Sequence, residues 1–344
     1  MATWNHLPRL SDVAARAGVS LATASRAMSA SSGVSTEVAG HVRAVADQMG
    51  YIANVHARSL AGGASSTIGL IVHEIGDPYF SEIASGALRA ASRQSRIVQI
   101  VHAERTPESE SAQIRALRAN RVGAMIIAGS GYTDVSLEKE TEAELVSFQS
   151  SGGRVAVIGR YHLPADAVLP DNEAAGLTLG RHVLGLGHRR IALVAGSAGL
   201  NTIQDRLAGI SVALSEAGMV LEDVNIIHEE FTREGGASAT EEVLARYPET
   251  TVVIALSDQM AIGALATLRE WGVQVPGKMS VAGFDDIAVA ADLAPSLTTV
   301  EIFMVQMGAL AVELTMAKEA HSLRRRHTGH ALKIRDSTGA PRPD

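Results

Sequence analysis

With 344 residues, no Cys, 3% aromatic side chains and a net charge of −7, the chain has room for one small and two medium domains, and it excludes disulfides and thiolate metal sites. No apolar run approaches the length of a membrane span. The opening residues, Met1 to Leu10, lack the charged and apolar regions of a signal peptide, so a cytoplasmic protein is expected. The overall acidity argues against nucleic acid, but the charge is unevenly spread. Residues 1–63 hold Arg9, Arg16, Arg26, Arg43 and Arg58 against Asp12, Glu37 and Asp47, a balance of +2 that leaves −9 for the remainder. A mildly basic head on an acidic body suits a phosphate-contacting module joined to something that does not touch DNA. The excess is small, so useful affinity requires two heads.

Leu10, Val13, Ala14 and Ala17 have the spacing of one helix face. Gly18-Val19-Ser20 interrupts it: the glycine allows a tight turn and Ser20 can cap the next helix. From Leu21 to Ala30, Ala24, Ala27 and Met28 can pack inward, while Leu21, Ala22, Ser25, Arg26 and Ser29 share the outer face. Two helices joined by a short turn containing Gly, with small and polar side chains facing out, suit a helix-turn-helix, although three short amphipathic helices occur in many other proteins. Ser35 can cap a third helix, in which Val38, Val42, Val45, Ala46 and Met49 close a small core. Asn54 can cap a short segment running to Leu60, a helix too short to be stable alone in water. Ala61 to Ser66 reads as a flexible linker.

Beyond it, β-rich apolar runs alternate with helical stretches. Strands are predicted at 67–72, 97–101, 122–128, 155–158, 191–195, 224–228, 251–256 and 279–283, and helices at 81–93, 109–119, 174–185, 204–217, 236–246 and 258–271. Continuous apolar strands between helices mean parallel sheets covered on both faces, and two successive sets suggest two α/β lobes with a cleft between them. Such sheets bind ligands beyond the carboxyl ends of their strands. There the sequence places His73 to Phe80, Gly129-Ser130-Gly131-Tyr132, Gly159-Arg160, Gly196-Ser197 with Thr202 and Arg206 further on, Ser257-Asp258, and Phe284-Asp285-Asp286. Aromatic faces, hydroxyls, arginines and carboxylates suit a hydroxyl-rich ligand, although polar strand ends are common to any α/β protein. His188-Arg189-Arg190 precedes a strand and reads as surface and helix-cap chemistry rather than a phosphate site.

The wording is more specific than the pattern. Ser11 to Arg26, Val34-Ser35, Gly50 to Asn54 and Ala57-Arg58-Ser59-Leu60 closely resemble the head and hinge of the LacI/GalR family of bacterial transcription regulators. Asp77-Pro78-Tyr79-Phe80, Gly187 to Ala192, Arg206 to Gly209, Ala255 to Ala264, Val275-Pro276, Ser280 to Asp286 and Leu297 to Val300 extend the resemblance along nearly the whole chain. It implies an α/β fold: an all-α helix-turn-helix head at 1–50, a hinge helix and linker at 51–65, and a periplasmic-binding-protein-like body of two doubly wound parallel-sheet lobes joined by three crossovers. The lobes are expected at 66–163 plus 298–328 and at 164–297 plus 329–344. The implied DNA-binding residues are Arg9, Ser20, Leu21, Ala22, Thr23, Ser25, Arg26, Ser35, Tyr51, Asn54, Ala57 and Leu60. The implied effector-binding residues are Tyr79, Phe80, Thr202, Arg206, Ser257, Asp258 and Asp285, to which the strand-end reading adds Ser130, Arg160 and Phe284. The partners implied are near-palindromic double-stranded operator DNA, a sugar-like small molecule and a second copy of the chain, with no cofactor, no metal and no membrane.

Some departures from the family pattern are informative. Arg9 stands where the family usually has a capping Thr, and an Arg cannot cap. Leu21 and Ala22 occupy base-reading positions, where they can touch thymine methyls but form no bidentate hydrogen bonds, so base reading leans on Arg26 and on DNA shape. Glu301-Ile302-Phe303 replaces a stretch that usually holds a Gln, at the lobe hinge or the ligand pocket. The segment 331–344 reads as a last strand and a frayed end, without the Leu heptads of a tetramerising coiled coil. Two other functions compete with a ligand-responsive repressor. An enzyme would need a motif such as a P-loop, G-x-G-x-x-G, H-E-x-x-H or G-x-S-x-G, none of which is present. A sugar-binding protein without regulatory DNA binding would suit the body but not the head.

Overall fold

Val13, Ala14, Ala17, Ala24, Ala27, Val42, Val45 and Ala46 form the small core of the first of two units, Met1–Ser66. The computed structural model describes residues 8–28, 33–51, 65–318 and 322–342. The core is closed by three helices, α1 (Leu10–Arg16), α2 (Leu21–Met28) and α3 (Thr36–Gln48). Gly18 makes the α1–α2 turn at φ +67°, a left-handed conformation that costs glycine little. Ser20 Oγ accepts the Thr23 N–H at 3.1 Å, and Ser35 Oγ accepts the Val38 N–H at 3.3 Å, so both predicted caps are in place. Arg9 offers α1 no side-chain acceptor, as expected. Asp12 supplies half of a capping box by accepting the Arg9 backbone N–H at 2.8 Å. Asn54, Ala57, Leu60 and Ser29 lie outside the described residues.

The second unit, Thr67–Asp344, contains two sheets. In chain order its first lobe has β1 (Thr67–Val72), α4 (Pro78–Arg93), β2 (Ile97–His102), α5 (Pro107–Ala119), β3 (Ala124–Ala128), α6 (Lys139–Ser150), β4 (Arg154–Ile158) and β5 (Asp166–Pro170). The second has α7 (Asn172–Gly185), β6 (Ile191–Ala195), α8 (Asn201–Glu216), β7 (Asn225–His228), α9 (Arg233–Arg246), β8 (Val252–Ala255), α10 (Asp258–Glu270) and β9 (Ser280–Ala282). There follow β10 (Thr299–Glu301), α11 (Met304–Met316), β11 (Arg325–Thr328) and β12 (Ala331–Lys333). The first sheet is parallel, in the order β11-β5-β4-β3-β1-β2, and the second is parallel, in the order β7-β6-β8-β9. Side chains of β1 alternate between two cores: Leu70 and Val72 pack with α4, while Ile71 packs with Ile114, Leu117 and Phe148 on the other face. That is the two-sided burial expected of a parallel sheet.

The chain crosses between lobes three times, as the resemblance implies. It passes from β5 to α7, from β9 through β10 to α11, and from β11 to β12. The antiparallel pair β10–β12 joins the second and third crossovers. The first crossover lies later than expected. β5 pairs with β4 through Ala156–Asp166 and with β11 through Thr328–Pro170, so the first lobe runs to Pro170 rather than to 163. The sequence hides this strand because it is five residues long, sits between Pro164 and Pro170, and has no periodicity of its own. α6 and α11 are likewise absent from the predicted helices. α11 exposes Gln306 and Glu313 but is mostly apolar, because one face is buried against α4. Their backbones touch: a Cβ on Gly86 would stand 2.0 Å from the Val305 carbonyl oxygen, and one on Gly308 2.0 Å from that of Ile83.

The tail corrects another expectation. Residues 334–342 form no frayed end but a strap across the second lobe. Ser337 is fully buried; its N–H donates to Ser296 O at 2.9 Å and its carbonyl accepts the Val281 N–H at 2.8 Å. His188 is therefore not a surface residue. It is buried under the strap, its Nε2 donating to Gly339 O at 2.9 Å. Arg189 does act as a helix cap, donating to the Leu184 carbonyl of α7 at 3.0 Å.

Candidate nucleic-acid interface and ligand cleft

On the head, α2 buries Ala24 and Ala27 and turns Leu21 (56% exposed), Ala22 and Arg26 to solvent. Thr23 and Ser25 are half-buried beside them. Arg26 Nε donates to the Ala22 carbonyl at 3.2 Å, which lays the guanidinium along the exposed face. Arg9 and Ser35 are exposed at the starts of α1 and α3, while Tyr51 packs partly into the head core and Ser20 is held in its cap. A cationic side chain among small ones, on a rigid second helix, has the shape and charge needed to enter a major groove.

In the body, the carboxyl ends of both sheets enclose a cavity with about 450 Å³ of empty space, counted to its open mouth. The first lobe supplies His73, Asp77, Tyr79 and Phe80 after β1, Arg105 after β2, and Gly129 and Ser130 after β3. The second lobe supplies Leu200, Thr202 and Arg206 from α8 and its approach, Phe231 after β7, and Asp285 after β9. Asp77 caps α4 by accepting the Tyr79 N–H at 3.0 Å, which fixes the adjacent Tyr79 and Phe80 rings edge to face at 4.9 Å. His73 Nε2 faces Glu110 at 3.3 Å in the wall behind.

Arg206 is the centre of the second-lobe wall and is almost completely buried. Its Nε donates to Asn172 Oδ1 at 3.0 Å, one Nη to the Leu256 carbonyl and the other to Asp285 Oδ1 at 2.8 Å. Phe284 lies beneath the guanidinium, 3.8 Å from ring centroid to Cζ. Burial pushes the Asp285 carboxyl up to about 7 against the pull of Arg206, with Asp77 adding to the rise. Burial likewise raises the Tyr79 hydroxyl and the Asp77 carboxyl. Asp285 and Asp286 sit at φ +117° and +58°, conformations disfavoured for residues with a Cβ. They are held there by Asp285 N–H donating to Val300 O at 2.9 Å and by Arg335 donating to Asp286 at 2.7 Å. Strain held this firmly beside a cavity aims one carboxylate into it.

Six of the ten effector residues expected from sequence line this cavity: Tyr79, Phe80, Ser130, Thr202, Arg206 and Asp285. Four do not. Ser257 Oγ caps α10 by accepting the Met260 N–H at 3.2 Å. Asp258 is fully buried, accepting from Thr299 Oγ1 at 2.6 Å and from Ile287 N–H at 2.9 Å, and its carboxyl is raised well above the ordinary range by burial and by Asp285. Phe284 supports Arg206 from below. Arg160 reaches across the cleft instead, forming a bidentate pair with Asp205 of α8 at 2.6 and 3.1 Å. Glu301-Ile302-Phe303 lies in the second crossover and does not line the cavity. The other six lining residues are His73, Asp77 and Gly129, which stand at predicted strand ends, and Arg105, Leu200 and Phe231, which the sequence reading does not place there. The same strand-end rule, applied after β2 and β7, finds Arg105 and Phe231.

Further bonds join the lobes at the same rim. Thr202 N–H donates to Ser130 Oγ, Asn201 N–H to Gly131 O and Asn201 Nδ2 to Arg160 O, each at 2.9 Å. The lobes are therefore closed on one another in this structure. Among the described residues no group of His and carboxylates could hold a metal, and no helix is long and apolar enough to cross a membrane.

Two family descriptions match. Residues 9–54 match the bacterial regulatory proteins of the lacI family, and residues 65–331 match the periplasmic binding proteins and sugar binding domain of the LacI family. The HTH-type transcriptional regulator GalS of Salmonella typhimurium is 33% identical over 315 residues, 91% of this chain and 90% of that protein. Among solved structures, a transcriptional regulator CelR–cellobiose complex is 27% identical, with a TM-score of 0.71 over 96% of this chain and 99% of that one. A Lac repressor dimer bound to operator and the anti-inducer ONPF is similar in fold, with a TM-score of 0.82 at 24% identity over 97% of this chain and 100% of that one. Head, closed two-lobed body and both family matches agree: the chain belongs to the LacI family of bacterial transcriptional regulators.

Proposed function

We propose that this regulator is a cytoplasmic, homodimeric repressor of a near-palindromic operator, controlled by a sugar-like effector in the cleft of the body. The observation that carries the reading is the cavity built from both lobes at once. A ligand touching Phe80 and Phe231 together bridges the lobes, so its binding energy differs between open and closed arrangements, the condition for shifting their equilibrium. The three crossovers then convert lobe angle into the placement of the chain entering β1. Under this reading Asn54, Ala57 and Leu60, which lie outside the described residues, contact the minor groove at the operator centre. The cleft groups position and bind; no bond-making step is assigned to them. The similarity to the transcriptional regulator GalS supports the regulatory role, and the CelR–cellobiose complex supports a carbohydrate ligand.

The test is selection of duplexes from a randomised pool by the full-length chain, followed by gel retention of the recovered site with and without a panel of sugars and sugar acids. Recovery of an inverted repeat whose retention changes with one panel member supports the reading. Failure to enrich any repeat removes the operator, and an unresponsive complex with no thermal shift by any panel member removes the effector site.

A further inference from the structure

We infer that the effector carries a carboxylate, and that Arg105 is the residue that selects it. The inference rests on the cleft reading above and narrows its ligand from sugars in general to sugar acids.

Arg105 sits in the loop between β2 and α5 of the first lobe. Its guanidinium lies 5.9 Å from the Phe80 ring centroid and 5.2 Å from that of Phe231, one ring from each lobe. It therefore spans the cavity where the lobes meet, with its side chain 29% exposed. Its nearest acid is Asp77, at 3.8 Å, beyond hydrogen-bond range. Among the described residues, none accepts a hydrogen bond from Arg105. Its guanidinium, a planar fork of N–H donors, thus lines a cavity from which water must be displaced when a ligand enters.

Part of the cavity's acceptor capacity is already in use. Asp77 Oδ1 takes the Tyr79 N–H, Asp285 Oδ1 takes Arg206, and Glu110 faces His73. Arg206 itself spends three N–H groups on Asn172, Leu256 and Asp285. Arg105 is left as the lining cation with no hydrogen-bonded acceptor among the described residues. A carboxylate only accepts, and it matches the guanidinium fork with two parallel bonds. A neutral sugar hydroxyl can also accept from the fork, but it brings neither the negative charge nor two parallel acceptors on one carbon. Charge agrees with this. Two arginines face the cavity against Asp77 and Asp285, and burial raises both carboxyls, which weakens the cavity's own negative charge. Tyr79, Phe80 and Phe231 supply the faces on which the ring carbons of a hexuronate or the chain of an aldonate can lie.

The experiment titrates the full-length protein by calorimetry with D-galacturonate, D-glucuronate and D-gluconate, with D-galactose and D-glucose as their neutral counterparts, and with D-glucose 6-phosphate. At least one acid is expected to bind about tenfold or more tightly than its neutral counterpart, the factor that a charge-assisted bond supplies. Arg105→Met should lose that preference, the acid's affinity falling to or below that of its neutral counterpart measured on the same variant, and Arg105→Lys should retain part of it. A neutral sugar that binds as well as its acid overturns the carboxylate and leaves the cleft reading standing. So does acid affinity unchanged in Arg105→Met. Tighter binding of the phosphate ester than of any acid also overturns it. If no probe binds, the carboxylate inference fails together with the sugar-like effector.

Discussion

Replacing Arg206 with Leu should destabilise the body, and the size of the loss should depend on pH. The substitution removes three hydrogen bonds and leaves Asn172 Oδ1, the Leu256 carbonyl and Asp285 without their donor. Breaking a buried ion pair from one side costs about 3–5 kcal/mol, because the other charge stays behind. Here that charge has a way out. The Asp285 carboxyl already titrates near 7, and losing Arg206 raises it further. A carboxyl raised in the folded state contributes stability that is fully present below its unfolded value of 3.8 and lost as pH rises through the folded one. The difference between wild type and Arg206→Leu should therefore be about 3–5 kcal/mol at pH 8. At pH 5.5 Asp285 is neutral, and only unmet hydrogen bonds remain, at about 1–3 kcal/mol. Urea unfolding of both proteins at the two pH values measures this, and adding Asp285→Asn to the Arg206→Leu variant should recover part of the loss at pH 8. A difference below about 1 kcal/mol at pH 8, or one that does not grow with pH, refutes the view that Arg206 neutralises a buried carboxylate. A further consequence concerns ligand assays. Loss of binding in an Arg206 variant reports a broken wall as readily as a lost contact, so Arg105 and Phe231 are better probes of the cleft.

Gly86→Ala should cost about 1–3 kcal/mol by forcing α4 and α11 apart; a urea midpoint equal to wild type would show that the helices yield freely. Burial lowers the pKa of both His182 and His188, so their contribution to holding the C-terminal strap is present above the unfolded value of 6.5 and is lost as pH falls through the lower folded value. Amide protection of Ser337 and Gly339, corrected for intrinsic rates, should fall between pH 7.5 and 5, and His188→Gln should flatten that change; protection independent of pH counts against histidine control of the strap. On the head, Arg26→Ala should weaken binding to the selected operator by about 1–3 kcal/mol if the guanidinium contacts guanine in bidentate fashion. Equal retention of wild type and variant at matched salt removes that assignment.

What could be read without coordinates was local. A helix face repeats every three or four residues and a doubly covered strand is a continuous apolar run, so the three head helices and eight of the body strands are visible within windows of ten residues. Caps at Ser20 and Ser35 follow from side-chain chemistry alone. The strand-end rule placed six residues in the cavity because it depends only on sheet polarity. Three things depended on the tertiary structure. Asp258 and Asp285 stand at adjacent strand ends of one sheet, yet one is sealed against Thr299 and the other reaches the cavity, a difference set by how the crossover β10 packs beside them. β5 is a strand only because β4 and β11 flank it. Arg105 and Phe231 lie far apart in the chain, and they face one another only because the closed lobes bring the ends of two separate sheets together. Periodicity and capping are short-range and are encoded in neighbouring residues. The partner across a cleft is chosen by the closure of the whole fold.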